Sequence, residues 1–153
     1  FTQYSGGPVK FPPKYLGSIP QIKTHLRLDS IINMENGDVC DAEVLKGQPV
    51  IAFCGIAKPE GFRQILQDVQ AQLKVFKAFP DHHEYSLNDV KELESIASQE
   101  GVKYILVSEK DAVKLKGMKF SLPFFKVVID LEILEGREIF NKKITTTTSR
   151  RGN

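Results

Sequence analysis

Five consecutive residues, Asp81-His82-His83-Glu84-Tyr85, bring two carboxylates, two imidazoles and a phenol onto one short stretch. Imidazole titrates near neutrality, and a neighbouring carboxylate fixes its tautomer and raises its basicity. Asp81 beside His82 and His83 is therefore a composition suited to proton transfer from a substrate hydroxyl. The stretch directly follows Val75-Phe76-Lys77-Ala78-Phe79, an apolar run that reads as a strand. In open α/β sheets, chemistry sits just beyond the carboxyl ends of strands. The rival reading is a loop histidine bonded to backbone. Adjacent loop side chains also point in different directions, so the two imidazoles need not act jointly.

Two other segments share that placement. Cys54-Gly55-Ile56-Ala57-Lys58-Pro59 follows the apolar run Val50–Phe53. Free amides at a helix start can hold an anion, with Lys58 adding charge. The plainer alternative, which we favour, is that Gly55 permits a tight turn beneath the helix. Ser108-Glu109-Lys110-Asp111 follows the run Tyr104–Val107. Ser108 and Asp111 have the spacing of a helix N-cap, with Glu109 complementing the helix dipole and Lys110 and Lys114 in solvent. Equally, Lys110 at a strand end can face a phosphate or a cleft between domains. A metal centre is a further option, because Asp81, His82, His83 and Glu84 are all competent ligands. No His-Glu-x-x-His spacing occurs, and His25 lies far away in the chain. Asp81-His82-His83 also has the letters of the metal-dependent Asp-His-His phosphoesterases. Those need further carboxylates on neighbouring strand ends, and the strand ending at Cys54 offers none.

The elements that must carry these segments are legible from periodicity. Continuous apolar runs predict strands at Val50–Phe53, Val75–Phe79, Tyr104–Val107 and Phe125–Ile129. Pro59 opens a helix, and Phe62, Ile65, Leu66, Val69 and Leu73 form one helical face, predicting a helix over Phe62–Leu73. Ser86 with Asp89 reads as a capping box for a second helix, Leu87–Glu100, closed by Gly101. Upstream, Thr24–Met34 alternates imperfectly before an Asn36-Gly37 turn, and Asp41–Lys46 reads as a short helix closed by Gly47. Downstream, Leu131–Phe140 is either a hairpin about Glu135-Gly136 or a strand followed by a short helix. The alternation predicts an α/β fold: a small parallel or mixed sheet of about four to five strands flanked by helices, Rossmann-like and three-layered.

Composition narrows the class. A chain of 153 residues with 41% hydrophobic and 26% charged residues is sized and balanced for one globular domain. No apolar run is long enough to span a membrane, and the first thirty residues contain no signal-peptide h-region. Only two cysteines occur, Cys40 and Cys54, too few for a disulfide scaffold. Cys54, at a strand end, reads as a buried small hydrophobe. The net charge is +2, and residues 142–153 carry Lys142, Lys143, Arg150 and Arg151 without an acid. The rest is slightly acidic, which argues against nucleic acid as a partner. We expect the polar, basic stretch 142–153 to be a disordered tail.

Together, Gly55-Ile56-Ala57-x-Pro59 with Phe62, Phe79-Pro80-Asp81-His82-His83-x-Tyr85, and Glu109-Lys110-Asp111-Ala112-Val113-Lys114-Leu115 resemble the C-terminal part of the tetraacyldisaccharide 4'-kinases. These are the ATP-dependent kinases of lipid A synthesis in Gram-negative bacteria, and the resemblance covers roughly residues 24–130. It implies a parent enzyme that transfers the ATP γ-phosphate, with Mg2+, to the 4'-hydroxyl of a lipid A disaccharide precursor. It implies a catalytic role for His82, with Asp81, opposite an aspartate of an N-terminal P-loop domain. His83 falls at a variable position of the motif. Gly55, Glu109, Lys110 and Asp111 belong to the pattern, whereas Lys58 does not, and none receives an assigned task from it.

No G-x-x-x-x-G-K-[ST] loop is present and the chain begins with Phe1. The expectation is therefore a C-terminal fragment that by itself binds neither ATP nor Mg2+ and is inactive. Residues 1–23 would leave a P-loop domain supplied in cis, 24–141 would form the α/β domain, and 142–153 the tail. The parent is expected to sit peripherally on the cytoplasmic side of the inner membrane. A noncatalytic binding module is the remaining alternative.

Overall fold

The computed structural model describes residues 22–141. The expected tail at 142–153 lies outside them, as does nearly all of the expected exit segment at 1–23. The elements run β1 (Lys23–Asn33), β2 (Val39–Asp41), β3 (Pro49–Cys54), α1 (Pro59–Asp68), β4 (Gln72–Ala78), α2 (Leu87–Glu100), β5 (Tyr104–Ser108), α3 (Glu109–Ala112) and β6 (Phe124–Glu135), with 3-10 turns at Ala42–Leu45 and Val113–Leu115. All strands join one mixed sheet in the order β2-β1-β6-β5-β3-β4.

The central strands are the apolar runs. Val50, Ile51, Ala52, Phe53 and Cys54 are fully buried, because β3 is covered on both faces. It pairs in parallel with β4 on one side and β5 on the other, and β5 pairs in parallel with β6. The chain thus steps from β3 to β4 through α1, then returns past β3 through α2 to reach β5. Right-handed crossovers in opposite directions place the two helices on opposite faces. Accordingly Ile51, Phe53, Ile105 and Val107 form one core cluster with Val90, Leu93 and Ala97 of α2. Phe62 of α1 instead meets Phe76 of β4, their ring centroids 6.2 Å apart.

The sheet has six strands, not four or five. The extra strands are β1 and β2, an antiparallel pair at one edge joined through the Asn36-Gly37 turn. Of β1's side chains only Leu28 and Ile31 are buried, three residues apart, so the period-two signal is weak. Its opposite sense to β6 follows from the Met34 amide bonding the Phe124 carbonyl at 2.9 Å while Arg27 pairs with Asp130 at 3.6 Å.

The first helix is also shorter than its apolar stripe. Val69 and Leu73 continue the 3.6-residue period, yet α1 ends at Asp68 and Leu73 lies on β4 opposite Val50. The terminator is Gln70, at φ 61°. Its amide bonds the Gln67 carbonyl at 2.8 Å and the Ala71 amide bonds that of Leu66 at 3.3 Å. This is a Schellman end with glutamine where glycine is usual, so no punctuation residue announced it. The second helix is as its caps imply: Ser86 and Asp89 form a reciprocal capping box and Gly101 takes the left-handed conformation at φ 62°.

The chain divides into two compact units. Arg27–Asp130 is one; residues 22–26 and 131–141 are the described part of the other. In that second unit Lys23 pairs with Glu135 at 2.6 Å. Gly136, at φ 83°, then admits a short helix over 137–141, with the Phe140 amide on the Gly136 carbonyl at 3.0 Å. Of the two readings for 131–140, strand followed by helix is the one adopted. No described helix is long and apolar enough to cross a membrane.

Candidate functional site

Strand order reverses at β3: β4 lies to one side, β5 and β6 to the other. The loops leaving β3 and β5 therefore diverge at their carboxyl ends, the place where doubly wound sheets leave a crevice. Here that place is bridged by side chains. Asp111, fully buried, accepts a hydrogen bond from the Gly55 amide at 2.8 Å and one from the Ser108 hydroxyl at 2.5 Å. Its other oxygen pairs with Lys114 at 3.3 Å. The Ser108 hydroxyl caps α3 by accepting from the Asp111 amide. The glycine at 55 is required by close approach rather than by φ. A Cβ there would lie 3.1 Å from the Pro80 carbonyl, 3.2 Å from the Tyr85 hydroxyl and 3.3 Å from Asp111 Oδ1.

The loop after β4 folds over this bridge. Phe79 donates its amide to the Cys54 carbonyl at 2.8 Å, and His82 donates its amide to the Gly55 carbonyl at 3.3 Å. Asp81 Oδ1 accepts the same His82 amide at 3.0 Å. His82 is held at φ 62°, a left-handed conformation that a non-glycine residue adopts only at a cost. Its side chain is 77% exposed. Asp81 Oδ2 stands 3.6 Å from His82 Nε2, too far for a hydrogen bond, while Lys110 approaches Asp81 Oδ1 at 3.4 Å. Partial desolvation works to raise the Asp81 carboxyl pKa. The Lys110 hydrogen bond, the His82 and Lys110 charges and the His82 amide outweigh it and hold the group below its ordinary value. Asp81, His82 and Lys110 thus form an exposed acid–imidazole–amine cluster above the buried bridge.

His83 faces inward. Its ring stacks on Phe79 at 4.5 Å, meets Tyr85 edge-on at 5.0 Å and lies 3.3 Å from Asp89 Oδ2. Its carbonyl accepts from Lys114 Nζ at 3.0 Å. Lys114 is therefore half-buried, not the solvated residue that capping alone implies; its i, i+3 spacing from Asp111 was the available signal. Tyr85 is buried, and its hydroxyl has no hydrogen-bond partner among the described residues. Burial, then the Asp111 charge, push the phenol well above its ordinary range. Cys54 is buried too, and burial followed by the Asp111 charge pushes its thiol up to about 11, making it a poor nucleophile.

Burial works to raise the pKa of Asp89, but the Ser86 hydroxyl and amide, followed by His83, lower it. A carboxyl depressed in the folded state stabilises above its unfolded pKa and loses that contribution as pH falls through its folded pKa. Asp89→Ala should therefore cost about 1 kcal/mol near neutrality. The gap from the unsubstituted protein should close as the pH drops below the ordinary carboxylate range. Urea titrations across pH measure this; a gap independent of pH would remove the carboxylate from the account.

Two candidate residues stand apart from the cluster. Lys58 is exposed at the start of α1 and makes no side-chain cap. Glu109 pairs with Lys126 of β6 at 3.1 Å. Among the described residues, the turn after β3 offers no fit for a nucleotide phosphate. Gly55, directly after β3, is closed over by Pro80, Tyr85 and Asp111, leaving no cradle for a phosphate there. Among the described residues no group of three or more His, Cys, Asp or Glu side chains is placed to hold a metal ion.

Comparison with known proteins gives a consistent result. Residues 8–148 match the family model described as tetraacyldisaccharide-1-P 4'-kinase. The tetraacyldisaccharide 4'-kinase of Syntrophus aciditrophicus is 34% identical over 105 residues, 68% of this chain and 28% of that protein. That of Pelobacter propionicus is 35% identical over 107 residues, 70% of this chain and 30% of that protein. This chain thus spans less than a third of either relative. Among solved structures, the "apo" form of LpxK from Aquifex aeolicus in complex with ATP superposes with a TM-score of 0.55 at 24% identity, covering 96% of this chain and 38% of that one. That likeness is one of fold.

Proposed function

The chain belongs to the tetraacyldisaccharide 4'-kinase family, and from that premise we propose that it is the C-terminal part of an enzyme transferring the ATP γ-phosphate to the 4'-hydroxyl of a tetraacylated disaccharide phosphate, a lipid A precursor. The observation that carries the reading is the meeting of three separate segments at one end of the sheet, with His82 raised into solvent above them. His82 is the group in reach of a substrate hydroxyl. Its imidazole receives or shares that proton as the hydroxyl oxygen attacks, opposite an aspartate of a P-loop domain supplied in cis. Asp81 holds the His82 amide and, with Lys110, supplies the charge beside the ring.

ATP and Mg2+ supply the phosphoryl group and its charge neutralisation; in this reading both belong to the P-loop domain. The acceptor is a membrane lipid, so the enzyme works peripherally, at the cytoplasmic face of the inner membrane. Residues 1–23 then serve as the connection to the P-loop domain and 142–153 as a tail. With no group of three or more metal-competent side chains placed together among the described residues, a metal-dependent phosphoesterase built on Asp81, His82 and His83 has no support.

The test is label transfer from γ-labelled ATP to a tetraacylated disaccharide 1-phosphate by the full-length protein that carries this chain. Label on the 4' position is expected; its absence in a folded enzyme overturns the reading. Calorimetry on the 153-residue chain alone is expected to give no heat of binding at micromolar ATP. Micromolar binding there would overturn the division of labour between the two domains.

A further inference from the structure

We propose that Asp111 is a positioning residue for His82, acting through two routes that grip both ends of the His82-His83 dipeptide. The first runs through Gly55. Asp111 Oδ2 accepts the Gly55 amide at 2.8 Å, and the Gly55 carbonyl accepts the His82 amide at 3.3 Å. The second runs through Lys114. Asp111 Oδ1 pairs with Lys114 at 3.3 Å, and the same ammonium donates to the His83 carbonyl at 3.0 Å. The Cys54-Gly55 peptide is clamped as well, its carbonyl by the Phe79 amide at 2.8 Å and its N–H by Asp111.

Why a buried carboxylate should be spent on this turn follows from the backbone of His82. A left-handed non-glycine residue persists only where its surroundings over-determine it. The φ of 62° at His82 is such a case. Held at its amide and at the following carbonyl, the turn fixes the backbone from which the ring projects. Asp111 itself is fully buried beneath the bridge and touches no solvent, so it cannot meet a substrate. Its effect on turnover must pass through the residues it holds. The Glu-Lys-Asp segment thereby acquires distinct tasks: Asp111 inward on the turn, Lys110 outward beside Asp81, and Glu109 away on Lys126.

The proposal rests on the catalytic reading of His82, and the test separates the two. In the full-length kinase, Asp111→Asn keeps the acceptor for the Gly55 amide and removes the charge that holds Lys114. We expect kcat to fall about ten- to a hundredfold, with the KM values for ATP and for lipid nearly unchanged. On a His82→Ala background the same substitution should lower kcat no further, since both act through one imidazole. Multiplying effects would show that Asp111 works by another path and overturn the proposal.

A second readout needs no activity. With histidine-selective 15N labelling, and the His82 signals assigned by their loss in His82→Ala, Asp111→Asn should shift or broaden the His82 amide and ring resonances. If His82→Ala retains full kcat, the catalytic reading fails, and the resonances still decide the positioning claim. Unmoved His82 signals in a folded Asp111→Asn enzyme overturn it. Should that variant not fold, Lys114→Gln severs only the second route, and unmoved His82 signals there overturn the claim that Asp111 grips the dipeptide from both ends.

Discussion

Asp111→Ala is expected to lower the stability of this domain by about 3–5 kcal/mol, the loss typical when one partner of a buried ion pair is removed. The carboxylate is fully buried and serves the Gly55 amide, the Ser108 hydroxyl and Lys114 at once. Alanine leaves a buried amide and a buried hydroxyl without their acceptor, and a half-buried ammonium without its counter-charge. Each unsatisfied group carries its own desolvation penalty of about 1–3 kcal/mol. Domains of this size are commonly stable by only about 5–15 kcal/mol, so the variant should sit near the edge of folding. Guanidinium or urea unfolding measures the change, with Asp111→Asn as the companion. The amide still accepts from Gly55 and should cost distinctly less. A loss below about 1 kcal/mol for alanine would mean that the bridge between the β3 and β5 ends is not what holds them.

Asp111 also marks where sequence reasoning stopped. The capping pair Ser108 and Asp111 was visible from spacing alone, because it is local: hydroxyl and amide lie three residues apart on one turn. That the same carboxylate reaches the Gly55 amide, 56 residues away in the chain, was not visible. Only the return of the chain past β3 brings those two strand ends together. β3 and β5 were legible because each is buried on both faces and reads as an unbroken apolar run; β4 and β6, partly exposed and each carrying lysine, were legible from the apolar residues around it. β1 was legible only as an imperfectly alternating segment before the Asn36-Gly37 turn, since only two of its eleven residues are buried and they lie three apart. Gln70 ended a helix unannounced, whereas the loop at His82 was read correctly and only its left-handed backbone was not foreseen. Glutamine rarely takes that conformation, so composition signalled no turn at Gln70.

The candidate site shows the same division. The acid–imidazole run after a strand was evident from residue types, but which imidazole faces out was decided by packing. Phe79 and Tyr85 hold the His83 ring between them, and Asp89 takes its nitrogen. His82 is left to solvent.

That asymmetry makes His82 the site of the second large effect, and its signature is a change of opposite sign in stability and turnover. His82→Gly should raise the stability of the fold or leave it level, because glycine adopts φ 62° without the clash of a Cβ. The strain removed is of order 1–2 kcal/mol, partly offset by the greater freedom glycine gives the unfolded chain. In the full-length kinase the same substitution should lower kcat by about 10²–10⁴, the usual worth of a positioned acid–base group. His82→Ala should lose turnover equally without the gain in stability. His83→Ala should do the reverse. It forfeits two ring contacts and the Asp89 partner, so it should destabilise by about 1–2 kcal/mol while kcat per folded molecule changes little. Thermal or urea unfolding and kcat at saturating ATP and lipid acceptor, for all three variants, are the measurements. If His82→Gly kept full turnover, the left-handed histidine would be a feature of the turn alone. If His83→Ala cost more turnover than His82→Ala, the buried ring would be the working one. Gln70 holds the same conformation merely to end a helix, so the strain at His82 alone does not assign its ring a task in turnover. These variants separate that side-chain task from the turn that carries it.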